Sequence, residues 1–146
     1  HSVYATVHAN DANETITRLT NPPINVRKSM LPALSMIVVQ YRNRRTGIRR
    51  TFQIAEITED STPNVLMQYS INKDRFIKVG HSKTLLKTLQ LFTGITPHQL
   101  SKDLKEKENI LKWLVKNKIN TTDEVGRVMA EYYTFPKQLL KRIRRS

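Results

Sequence analysis

His8 is the residue whose setting says most about chemistry. It lies in the run Ala5-Thr6-Val7-His8-Ala9-Asn10-Asp11. Val3, Ala5 and Val7 alternate with the β-favouring Tyr4 and Thr6, which predicts a buried strand over residues 2–8. That puts His8 at the C-terminal end of a strand, where α/β sheets collect their ligand groups. A neutral imidazole there can donate to a phosphate oxygen or to a polarised water. The plainer alternative is a histidine that closes a strand end without a ligand. Arg18 has two readings as well: a cation at an anion site, or a surface arginine paired with Glu14 four residues earlier. Other clusters carry less. Glu56, Glu59 and Asp60 follow a strand with no base beside them, as turn carboxylates do. Arg42, Arg44, Arg45, Arg49 and Arg50 form either a phosphate grip or the solvated face of a hairpin. His8, His81 and His98 lack metal-ligand spacing, and there is no cysteine, which excludes disulfides, thiolate zinc sites and cysteine nucleophiles. No G-x-x-x-x-G-K-[ST] occurs and there are four glycines in all, so no loop here can cradle phosphates. Nor does any apolar strand end in the acidic residues that would hold magnesium.

The elements that must position these groups fall into two regions. A helix is predicted after His8, opened by Asp11 with Glu14 three residues on and closed by Asn21-Pro22-Pro23. A short helix or turn follows around Met30, Leu31 and Leu34. Residues 36–41 and 48–58 read as a hairpin joined through Arg42–Gly47, and residues 65–71 and 75–79 as a second hairpin about Asn72-Lys73-Asp74. From Ser82 the period becomes helical. Leu85, Leu86, Leu89 and Phe92 share a face up to Gly94. Thr96-Pro97 opens a long helix with Leu100, Leu104, Leu111, Leu114 and Val115 predicted inward. Thr122 and Pro136 open two shorter helices, bearing Val125, Val128, Met129, Tyr132 and Tyr133, then Leu139, Leu140 and Ile143. The expected division is residues 1–81, mainly sheet, and residues 82–146, helical.

The chain has 146 residues, enough for a real core, with 25 Lys and Arg against 12 Asp and Glu and a formal charge of +13. The excess is spread along the chain and attracts anions without naming one. No apolar run approaches the ~20 residues of a membrane span, and no basic-then-apolar leader opens the chain. Beginning at His1 inside a strand pattern, the chain is expected to be a piece of something longer.

His1 and the run Ala5-Thr6-Val7-His8-Ala9 resemble the histidine box of secretion ATPases. Arg18-Leu19 followed by Asn21-Pro22-Pro23-Ile24-Asn25-Val26 resembles the Arg-Leu and Pro-Pro-x-Asn-Val segment of the archaeal branch, which drives pili and archaella. The likeness extends through Leu31–Gln40, the arginine-flanked strand pair ending near Glu56-Ile57, and the Leu-rich helices with Trp113 and Tyr132-Tyr133. It implies an α/β fold: the C-terminal part of a RecA-like P-loop NTPase domain with antiparallel β-hairpins, then a small helical subdomain. It also implies that His8 senses the nucleotide, that Thr6 places its strand, and that His1 and Arg18 support the nucleotide site. The parent would be a cytoplasmic homo-hexamer at the inner face of the membrane. It would use ATP and magnesium and work with a membrane platform protein to power secretion or filament assembly. The phosphate-binding motifs would lie in the upstream part of the same ATPase, so residues 1–146 alone are expected to be inactive. The alternative is a non-enzymatic basic nucleic-acid-binding module. Against it, the ten aromatics form no base-stacking platform.

Overall fold

The computed structural model describes residues 3–145, with helices and a four-stranded antiparallel sheet in order β1-β2-β3-β4. The strands are β1 (Ile37–Arg42), β2 (Arg49–Ile57), β3 (Pro63–Ser70) and β4 (Arg75–Lys78). Each pairs with its sequence neighbour, as short β-favouring runs separated by turn residues should. Left-handed Gly47 (φ 72°) and Asp74 (φ 41°) make the two tight turns at one end of the sheet. Two compact units divide the chain, His1–Thr93 and Gly94–Ser146.

In the first unit α1 (Ala12–Thr20) packs its buried Ala12, Thr15 and Ile16 on Ile37, Val39, Ala55 and Ile57 of the sheet. The helix starts where the sequence says it should. Asp11 accepts from the Glu14 amide at 2.7 Å, and Glu14 reaches back to the Asn10 amide at 2.8 Å. That backbone bond is the main reason its carboxyl is held down to about 2, with Arg18 adding to it. The chain then passes through a cis Pro22–Pro23 bond and a short 3-10 helix, Lys28–Ala33, whose Leu31 is buried in the same core.

The unit also takes in α2 (Leu85–Thr93), so the structural division falls a dozen residues after the change in sequence period. Glu56, at the end of β2, is the reason. Only 1% exposed, it accepts from Lys83 N (2.5 Å), Leu85 N (2.9 Å), Thr84 N (3.2 Å), Ser82 Oγ (2.7 Å) and Asn64 Nδ2 (2.8 Å). The free amides of a helix N-terminus need an acceptor, and a carboxylate from another element supplies it. Burial pushes the Glu56 pKa up, but these donors outweigh it and hold the group down to about 2.

The second unit holds α3 (Pro97–Lys116), α4 (Thr122–Thr134) and α5 (Pro136–Arg145) around buried Ile110, Leu114, Val128, Tyr132 and Leu139. Thr96 and Gln99 form a reciprocal capping box with Pro97 at the first position. Thr121, one residue before the expected Thr122, caps α4.

Two expectations are corrected here. Residues 3–9 form no strand: they have no regular secondary structure and are largely exposed, with Tyr4 at 92%, because no strand pairs with them to satisfy their backbone. In α3, Leu104, Leu111 and Val115 face outward, with Leu111 55% exposed, while Ile110 at 1% and Leu114 carry the core. The helix has apolar residues on more than one face, and only one face meets α4 and α5. Leu86 and Phe92 of α2 and Tyr133 of α4 are exposed as well.

Candidate functional site

Residues 5–9 face the free edge of β1 across a groove of about 450 Å³. Residues 36–40 line it as well, together with Thr15, Leu19, Ile24 and Leu34. β1 ends the sheet order, so its outer backbone groups are unpaired, and among the described residues no backbone hydrogen bond joins residues 3–9 to it. An irregular segment and an edge strand thus border one mainly apolar slot. α1 follows this segment after Asn10 and Asp11, and its first amide, Ala12 N, donates to Gln53 Oε1 of β2 at 3.0 Å, which ties the start of the helix to the sheet.

His8 and Thr6 are both exposed and line this groove. His8 also borders a second, shallower groove of about 330 Å³, shared with Thr17, Arg18, Asn21 and the Pro22–Pro23 pair. The structure therefore brings together two residues ten positions apart, one on the irregular segment and one on α1. Arg18 donates through Nε to Glu14 Oε1 at 2.8 Å, and its Nη2 lies 2.6 Å from the same oxygen, so its pairing with Glu14 is real. Half of its side chain still faces solvent. An imidazole and a guanidinium opening on one shallow groove are both hydrogen-bond donors and suit an anion such as a phosphate. His1 lies outside the described residues.

The other sequence candidates separate from this site. Glu56 is structural, and its burial could have been suspected from its place between Ala55 and Ile57. Nothing in its local sequence names Ser82–Leu85 as partners. The two hairpin turns carry the arginine cluster at the sheet end made by residues 43–48 and 71–74. Among the described residues no group of His, Asp and Glu could hold a metal ion, and no helix is long and apolar enough to cross a membrane.

No protein-family profile matches the chain. It is 36% identical over 147 aligned positions to the uncharacterized protein MJ0781 of Methanocaldococcus jannaschii, an alignment that takes in 95% of this chain and 20% of that protein. It is 30% identical over 145 positions to the uncharacterized protein MJ1287 of the same organism, taking in 94% of this chain and 53% of that protein. The chain thus spans about a fifth of one relative and about half of the other, and what it is similar to is a part of two longer archaeal proteins.

Proposed function

We propose that this chain is the C-terminal portion of an archaeal hexameric ATPase that powers protein secretion or the assembly of a type IV pilus or archaellum. Residues 3–9 would then be the strand of its RecA-like sheet that carries the nucleotide-sensing histidine. The groove between residues 5–9 and the edge of β1 is the observation that carries the reading. A strand from the upstream part of the same protein would find there an unpaired backbone on each side and apolar walls. Pairing with such a strand would convert the exposed segment into the strand its sequence pattern asks for. Both archaeal relatives are longer than this chain, which leaves room for such a part.

On this reading ATP and its magnesium are held by upstream residues. His8 and Arg18 add donors from the groove beside Pro22 and Pro23, and Thr6 keeps the strand in register. The helical unit and the exposed apolar face of α3 would be available to a neighbouring subunit or a membrane platform protein. Amide hydrogen exchange tests the completion of the sheet. In the 146-residue chain the amides of residues 3–9 should exchange rapidly. In the full-length protein they should be protected at least ~100-fold, together with the outer amides of β1. Equally fast exchange in both would leave residues 3–9 as a surface segment and remove the main support for the reading.

A further inference from the structure

We propose that the end of the sheet formed by the β1–β2 and β3–β4 turns is a docking surface for an anionic membrane. The strand order puts both turns at the same end, and an ion pair between Arg50 Nε and Asp74 Oδ1 at 3.3 Å ties one to the other. The first turn and its flanks carry Arg42, Arg44, Arg45, Arg49 and Arg50; the second carries Lys73 and Arg75. Asp74 is the one carboxylate in either segment, and it is taken by Arg50 and by the Tyr69 hydroxyl at 2.5 Å. The remaining cations of the two turns have no acidic partner among the described residues and are exposed.

The register adds a physical argument. Arg42 sits directly opposite Arg49. Like charges in that relation destabilise a strand pair, and an acidic residue at either position would stabilise it with no change of backbone. The pairing makes physical sense when an outside anion neutralises both guanidinium groups, which present forked donors suited to phosphate.

Two isoleucines decide which anion. Ile48, 44% exposed, closes the first turn and Ile71, 57% exposed, opens the second, so each basic turn carries a bare aliphatic side chain. At a bilayer surface both have a place: aliphatic groups enter the acyl boundary while arginines lie among the headgroup phosphates. A duplex offers no apolar compartment for them, and a single strand is gripped by aromatic stacking, of which the turns have none. Each basic residue close to an anionic leaflet raises affinity about fivefold, and the gain fades beyond a Debye length. This inference stands apart from the ATPase reading and would hold for a protein without turnover.

The test is co-sedimentation of the chain with vesicles of phosphatidylcholine alone or with added phosphatidylglycerol, at low and moderate salt. Binding is expected to the anionic vesicles only. Arg44→Glu with Arg45→Glu should weaken it by more than ~10-fold and Ile48→Ser with Ile71→Ser by several-fold. Lys137→Glu with Lys141→Glu on α5 should change it little, and circular dichroism checks that each variant folds. Equal binding to both vesicle types, or unchanged binding in the Arg44/Arg45 variant, overturns the proposal. So does loss of binding in the α5 variant alone. Retention of duplex DNA without vesicle binding, unaffected by the isoleucine changes, would assign the patch to nucleic acid and overturn it too.

Discussion

Glu56 shows how a single side chain sets what belongs to which unit. A carboxylate taken wholly out of water is tolerable when every lone pair finds a donor, and here five donors converge on two oxygens. Replacing it with Gln keeps the shape but turns an amide toward backbone N–H groups, so Glu56→Gln should cost ~2–4 kcal/mol in denaturant unfolding at neutral pH. The pH dependence has a definite sign. The folded pKa of about 2 lies below the usual carboxylate value, so the stabilisation is complete above the unfolded pKa and is lost as pH falls from about 5 toward 2. For this one group the loss amounts to about 3 kcal/mol. Glu14 and Glu108 are also held down to about 2; salt screens the ion pairs of Glu108, while Glu14 keeps its Asn10 hydrogen bond equally in wild type and variant. At high salt the acid-induced loss should therefore be clearly smaller in Glu56→Gln than in wild type. Parallel pH profiles would show that Glu56 does not hold α2 in this way.

At the scale of elements, the sequence predicted most helices and strands because their ends carry local signals. Asp11 with Glu14, Thr96-Pro97 with Gln99, and the Gly47 turn each settle a boundary through their own hydrogen bonds or backbone angles. Which face of α3 lies inward was not legible. Leu100, Leu104, Leu111 and Val115 make as good a stripe as Ile110 and Leu114, and periodicity does not say where α4 and α5 will sit. Residues 3–9 depart from expectation for a related reason: their alternation is the pattern of a paired strand, and a pair is a non-local property. The α3 assignment is directly testable. Ile110→Ala should cost ~2–5 kcal/mol and Leu111→Ala under ~1 kcal/mol, measured by urea unfolding of the same chain. The opposite order would mean that the outer face of α3 is the core. The site itself was legible in part. His8 and Arg18 were singled out from motif and spacing, but the groove between residues 5–9 and β1 follows from tertiary structure alone.

For the whole molecule, the proposed function would make this chain one portion of a larger motor, with the catalytic parts divided between it and an upstream part. The 146-residue chain by itself should then neither hydrolyse ATP nor hold it tightly. Turnover by pure chain that disappears on His8→Ala would mean the site is complete without an upstream part. The central claim is that His8 serves nucleotide hydrolysis, and steady-state ATP hydrolysis by the full-length protein tests it, wild type against His8→Ala, with ATP affinity and assembly measured in parallel. Affinity would rest mainly on groups outside this chain and should change little. An imidazole positioned for proton transfer or charge stabilisation contributes ~10²–10⁴ in rate, so turnover should fall by ~10-fold or more. Equal turnover in the two proteins, or a full-length protein that does not hydrolyse ATP at all, would contradict the account and leave His8 as a surface histidine at the start of α1.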